Sequence, residues 1–317
     1  MRFDLKLAAL VASVLAACSS SSATSSDDGL IEGFNPPAPG ADQIRVMVPI
    51  VENIQPGQDL TWCAYIANPF ADKGEVDVVQ SRGFQSKSGH HALLMEVPGA
   101  ESSLGQSHEC TDRDMNDARF LAGGSDAAAQ FQIPEGIGFR IKPASVLMVQ
   151  SHWINTGTTV LRGQTVFNVK VLPPDPKRQA AQLFATFTLN VTLPPRAPAH
   201  AHAECTVQKD LQFFAIGGHA HEYGKHVRLS LGDKVLYDQD WQPHFQSDPP
   251  LNYYDIAAPL VFHKGDVLNV DCDYQNTTDS AIQFPREMCV GEGFYFPGDA
   301  DIHCGDGQWD NGGGGAQ

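Results

Sequence analysis

Beyond residue 43 the apolar positions come in short runs, broken by Gly, Pro, Asn and Asp, and long stretches with helical spacing are missing. Val and Leu lead in these runs, with Phe, Ile and Thr after them, which suits half-buried extended chain. The pattern predicts strands at Ile44–Val51, Leu60–Ile66, Ala92–Val97, Phe139–Ile141, Ser145–Ile154 and Thr165–Leu172. It predicts further strands at Ala185–Leu193, Leu211–Gly217, His226–Leu231, Lys234–Tyr237, Val267–Tyr274 and Gly291–Phe296. Gly232-Asp233 reads as a tight hairpin turn. One short stretch, Pro176–Leu183, reads as helical. The run Pro173-Pro174-Asp175-Pro176 cannot sit inside a central strand and marks a break. The expectation is an all-β chain with two tandem antiparallel β-sandwich domains, at 41–173 and 182–305. A Pro-rich linker, 174–181, joins them, and 306–317 reads as a disordered Gly-rich tail. No internal repeat is evident.

The N-terminus follows a different pattern. Arg2 and Lys6 precede an apolar run from Leu7 to Ala17 that ends in Leu15-Ala16-Ala17-Cys18. This resembles a bacterial lipoprotein signal peptide with its lipobox, from which only Asp4 departs. The run is too short to span a bilayer. The resemblance implies removal of 1–17, a lipid on the Cys18 thiol and a Ser-rich tether over 18–40. Ser19 differs from the Asp associated with inner-membrane retention, so the expected address is the outer membrane, with the lipid as the only membrane contact.

Composition narrows the function. The chain is 42% hydrophobic, too apolar for disorder, and its net charge of −16 argues against nucleic acid as a partner. Of seven cysteines, six remain after Cys18: Cys63, Cys110, Cys205, Cys272, Cys289 and Cys304. None forms a Cys-x-x-Cys pair, which speaks against a zinc ribbon or a thioredoxin-like site. An even number in an oxidising compartment reads as three disulfides, their pairing left open by spacing alone.

The twelve histidines are unevenly placed. His219 and His221 are two residues apart, so on extended backbone they point to one face within chelating reach of one ion. Adjacent His90 and His91 would alternate faces in a regular strand, and could share an ion only if the backbone kinks, which Gly89 permits. His152 lies within an apolar run. His200-Ala201-His202 has the same two-residue spacing but lies in a Pro/Ala-rich stretch that reads as a surface loop.

Taken together these segments resemble the copper type II, ascorbate-dependent monooxygenases, the family of peptidylglycine α-hydroxylating monooxygenase and dopamine β-monooxygenase. Ser88–Val97 is similar to the family's His-His-x-Leu-Leu segment, and Leu147–Asn155 to its segment with a third His before an aromatic residue. Gly218–Lys225 is similar to its His-x-His-x-x-Gly-Lys/Arg segment, and Glu287-Met288-Cys289 to its Glu-Met-Cys. Val191–Pro195, followed by Cys205, resembles the opening of its second domain. The five segments occur in the family's order across most of 44–304.

The resemblance implies two jelly-roll-like sandwiches facing each other across a solvent-filled cleft, with one copper ion in each. His90, His91 and His152 would hold the electron-storing copper, with Gln150 behind them on the same strand face. His219, His221 and Met288 would hold the copper at which O2 reacts, a thioether favouring Cu(I). The implied reaction is hydroxylation of an activated sp³ C–H bond of a small molecule, with O2 as co-substrate and ascorbate or an equivalent donor as reductant. The implied disulfides are Cys63–Cys110, Cys205–Cys304 and Cys272–Cys289.

Departures bear on substrate. The peptide-amidating branch grips a carboxylate with an Arg before His-x-His and with polar residues after the Met. Gly217, Val290 and Glu292 occupy those positions here, and Glu292 would repel a carboxylate. A neutral or cationic substrate is therefore expected, not a peptide C-terminus. Gly217–Gly224 also resembles the Gly-x-His-x-His-Glu-x-Gly of Cu/Zn superoxide dismutase, but His226, His244 and His263 follow in contexts unlike that enzyme's. No Cys is followed closely by His and Met as a blue-copper protein requires. A paired sandwich that binds copper or another ligand without catalysis is the alternative.

Overall fold

The computed structural model describes residues 29–111, 113–114, 118–124, 131–246, 248–284 and 286–311. The signal-peptide and Cys18 expectations, the Ser-rich stretch before Gly29 and residues 312–317 lie outside the described residues. The fold is all-β, with no helix as long as seven residues among the described residues. In the first sandwich one sheet runs Ile44–Met47, Thr165–Leu172, Val76–Gln85, Ile137–Ile141, Gln179–Ala180. The sheet stacked on it runs Ser107–Glu109, Asp59–Ile66, Val146–Ile154, Gly89–Val97, Arg119–Gly124. Ala92, Leu94, Val149 and Phe167 are buried between the two.

The second sandwich has one sheet running Leu251–Tyr253, Leu211–His219, Cys289–Phe296, Gln182–Thr188, Ile302–Gly305, Gln308–Asp310. Its other sheet runs Pro198–Thr206, Val267–Gln275, Gly224–Leu231, Lys234–Asp240. Phe213, Val227, Leu229 and Val270 fill its core. The strand pairings divide the chain after Ala180. Most are antiparallel; Gln179–Ala180 runs parallel to Ile137–Gly138, and Phe184–Phe187 parallel to Ile302–Gly305. Disulfides join Cys63 to Cys110, Cys205 to Cys304 and Cys272 to Cys289.

Five sequence expectations change. Pro176–Leu183 is not helical: Asp175 caps a turn through Lys177 N, and Gln179–Ala180 and Gln182–Thr188 are strands. Pairing to the first sandwich holds the former, so the second half of the 174–181 linker is a sheet edge. Residues 29–40 of the expected tether lie on the first sandwich. Leu30 packs with Phe84 and Val166, and Gln164 accepts from Ile31 N and donates to Gly29 O. Within the expected Gly-rich tail, Gln308–Asp310 forms a hairpin with Ile302–Gly305, where Trp309 packs on Phe184. His200 and His202 lie on the strand Pro198–Thr206, because Ala201, Ala203 and Cys205 alternate with them into the core. Val76–Gln85 was not legible as a strand, since its buried Asp77 is compensated only in three dimensions, by Arg140 and Arg178.

The two sandwiches share a device that the sequence conceals. Asn155, fully buried, donates to Ile54 O and Thr159 O and accepts from Gly157 N. Asn276, also fully buried, donates to Leu193 O and Ser280 O and accepts from Thr278 N. Each closes the loop after the strand that ends the corresponding ladder.

The sandwiches meet on an aromatic cluster. Phe294 lies 4.4 Å from Phe131, 5.1 Å from Phe120 and 6.0 Å from Phe139, ring centre to ring centre. Beside it the buried Asp301 carboxyl accepts from Leu183 N at 2.9 Å and from Phe120 N at 3.2 Å, one amide from each sandwich. Burial pushes its pKa up to about 6.

Asn276→Ala leaves two carbonyls and one amide without their partner, and should cost about 2–4 kcal/mol of stability. Chemical denaturation checks this; an unchanged midpoint contradicts it.

Candidate metal centres

The first donor set is made by a backbone irregularity. Gly89 pairs with Trp153 and His91 with His152, so two steps on one strand match a single step on the other. His90 is the extra residue of this β-bulge, which puts neighbouring histidines on one side. Gly89 is required there: a Cβ would come within 2.2 Å of Gln85 Cβ. His90 Nδ1 and His91 Nδ1 are 3.2 Å apart, and one ring nitrogen from each of His90, His91 and His152 lies within 4.8 Å of the other two. Two ring nitrogens so close need one proton between them or a cation in its place.

The outer nitrogens are already engaged. His152 Nε2 donates to Asp59 Oδ1 at 2.6 Å, and Gln246 Nε2 donates to His90 Nε2 at 2.9 Å. That leaves Nδ1 as the inward atom of His152. The His152 contact holds the Asp59 carboxyl below its usual range. Burial, then the neighbouring His152, lowers His90 to about 4 and takes His91 well below its ordinary value. Both are therefore neutral ligands at pH 7, as a metal requires. Gln150 is buried two residues before His152, on the same strand face.

The second set sits at the end of Leu211–His219. The His219 and His221 rings are 5.0 Å apart at 88°. Burial lowers His219 to about 3 and lowers His221 as well. His221 Nδ1 donates to Arg286 O at 3.1 Å, which leaves Nε2 for a metal. Met288 is half-buried, two residues before Val290, which pairs with His219. Its backbone is held from three directions: Tyr274 Oη donates to Met288 O at 2.7 Å, Met288 N donates to Glu287 Oε1 at 3.0 Å, and Cys289 is tied to Cys272.

Glu287 organises this set. Its fully buried carboxylate accepts from the amides of His221, Tyr223 and Met288, tying the His-x-His turn to the segment that carries Met288. Burial pushes its pKa up to about 7 against those three donors. Trp241 Nε1 donates to His221 O at 3.1 Å, and a Cβ at Gly224 would come within 2.6 Å of that indole.

The two sets face each other. Gln246 belongs to the second sandwich and touches His90 of the first. His221 is close enough to His152 and Asp59 for their charges to interact. The expected solvent-filled cleft is thus bridged at this point. Asp59, Gln246 and Glu287 had no role in the sequence reading. Glu287 lies in Glu-Met-Cys; nothing local in the sequence marks the other two.

Glu292 pairs with Gly217, and Val290 with His219. Across this ladder Val290, Glu292, Gly217 and His219 share one face, because Gly291 and Gly218 press on the core through Val270 and Val227. Glu292 is half-buried, and burial pushes its pKa up to about 7. A Cβ at Gly217 would meet Leu251 Cδ2 at 2.5 Å and Pro250 O at 2.9 Å, so no side chain fits there without displacing that segment.

Residues 179–307 match the family described as copper type II ascorbate-dependent monooxygenase, C-terminal domain. The match coincides with the second sandwich and takes in His219, His221, Glu287 and Met288. No curated protein matches the chain.

Glu287→Ala should free the amides of His221 and Tyr223, so that their hydrogen exchange accelerates about tenfold or more. Exchange measured by mass spectrometry or NMR checks this; unchanged protection contradicts the clamp.

Proposed function

We propose that the chain hydroxylates an activated sp³ C–H bond of a small substrate, using O2, two copper ions and ascorbate or an equivalent donor. The observation that carries this reading is the pairing of a three-imidazole set with a two-imidazole set beside Met288, on facing surfaces of two sandwiches. The donor chemistry fits copper: neutral imidazoles suit both oxidation states, and a thioether suits Cu(I). Bound copper would supply one-electron storage at the first set and O2 reduction at the second. The balance is one C–H bond and O2 to one C–OH and one water, with two electrons and two protons from the reductant.

The protein's own groups have definite tasks in this scheme. Asp59 would orient His152 through Nε2–H and raise its donor strength. Gln246 would do the same for His90, turning its amide oxygen to Nε2–H once Nδ1 is given to the metal. Glu287 would hold the His-x-His turn and Met288 at one spacing. Phe294 and Phe131 exclude water from one end of the face on which Glu292 lies.

We infer a neutral or cationic substrate. Gly217, closed over by Pro250 and Leu251, supports this, since no Arg can stand there to grip a carboxylate. Glu292, near pKa 7, would be increasingly anionic above neutral pH. The three disulfides accord with export to an oxidising compartment, and we assign the chain to the cell envelope, held by lipid at Cys18.

Copper analysis with ascorbate-dependent oxygen uptake tests the reading. Two coppers per chain and substrate-stimulated uptake are expected; one copper or none with no uptake leaves the non-catalytic binding protein. Met288→Ala should abolish hydroxylation while one copper stays bound at the first set. For an amine substrate KM should fall as pH rises through about 7, since the carboxylate forms there, and Glu292→Gln should flatten that dependence. An unchanged profile in the variant excludes contact with Glu292.

A further inference from the structure

The outward face of the sheet Pro198–Thr206, Val267–Gln275, Gly224–Leu231, Lys234–Asp240 carries a second concentration of metal-ligating side chains. His200 stands opposite Asp273 and His202 opposite Asp271. His202 Nδ1 lies 2.8 Å from Asp271 Oδ1, His200 Nε2 lies 3.5 Å from that same oxygen, and His200 Nδ1 lies 2.9 Å from Asp273 Oδ1. On the next strand His226 also stands opposite Asp273, and its Nε2 contacts Asp238 at 2.6 Å.

The place of this cluster in the fold is not arbitrary. In the first sandwich His91 pairs with His152 just past a bulge at Gly89, and Asn155 closes the loop three residues after His152. In the second, His226 pairs with Asp273 just past a bulge at Gly224, and Asn276 closes the loop three residues after Asp273. By register Asp273 therefore occupies the place of His152, and His226 that of His91. The cluster lies on the face of the second sandwich that corresponds to the one bearing the three-imidazole set in the first.

We propose that His200, His202 and Asp271, with Asp273 beside them, bind a divalent transition metal ion of the zinc or copper(II) class. Imidazole with carboxylate suits these ions, and bonds of about 2.0–2.2 Å in a tetrahedron put donor atoms about 3.3–3.6 Å apart. The 3.5 Å separation from Asp271 Oδ1 matches that spacing, and the 2.8 Å one is about half an ångström short of it, so His202 and Asp271 would part slightly as the ion enters. Among the described residues only His90, His91 and His152 already hold three such donors mutually within 4.8 Å, so His200 must turn toward His202 as the ion enters. Its exposure of 54% leaves it free to do so. Asp238 and Asp240 on the outer strand add negative charge, against Lys225 and Arg228. As simple surface ion pairs these contacts would contribute little to stability.

Zinc is the probe. Equilibrium dialysis of the purified chain near neutral pH should find one more zinc per chain than in His200→Ala/His202→Ala, with an affinity of about 10 μM or tighter. Asp271→Asn should weaken that equivalent about tenfold. The same difference should persist when His90→Ala and His219→Ala disable the proposed copper centres, so failure of the copper reading leaves this result standing. The cluster variants should keep the wild-type circular dichroism and melting curve, His200 and His202 being exposed and Asp271 half-buried on the outer face of the sheet. Equal zinc content in wild type and the double variant overturns the site.

Discussion

The packing of Phe294 and Phe214 against Phe120, Phe131 and Phe139 is the contact on which the rest of the structure depends. The strand that carries Phe294 into this cluster continues through Glu292 and Val290 to the segment bearing Met288. One face of one ladder thus docks the first sandwich at one end and presents His219 at the other. Because the side chains of an extended strand repeat every second residue, docking and site are locked in register. A shift of one residue would bury Glu292 in the core and turn His219 away.

Around that contact the protein keeps carboxylates where burial disfavours their charge. Asp301 joins amides of both sandwiches, and Glu287 joins three amides of the second set. Removing either would strand several backbone donors, which costs more than one buried carboxylate supplied with hydrogen bonds. Such groups specify geometry. Gln246 extends the same logic across the gap, since it fixes a His90 ring that its own sandwich does not contain.

The sequence showed the β-class and most strands, because their apolar alternation is local. It also pointed to the histidines and Met288 as candidate ligands, because their spacing and order resemble a family. It could not show Val76–Gln85 or Pro198–Thr206 as strands, where buried Asp77 and exposed His200 find their partners on distant segments. Nor could it show that His90 is a bulge residue; Gly89 allowed a kink, and only the pairing with Trp153 and His152 fixes one. Asp59 and Gln246 were invisible for the same reason. The Asn155 and Asn276 loops relate the two sandwiches, each opening on Asn-Thr and each closed on the carbonyl of Thr159 or Ser280.

The proposed function requires the facing sets to hold two copper ions with different donors, only one of them bearing sulfur. X-ray absorption of the fully reduced, copper-loaded protein measures this directly. Imidazole nitrogen is expected at every copper and one thioether sulfur for every two coppers, the sulfur signal vanishing in a Met288→Leu variant. A spectrum without sulfur, or a sulfur signal unchanged by that substitution, would contradict it.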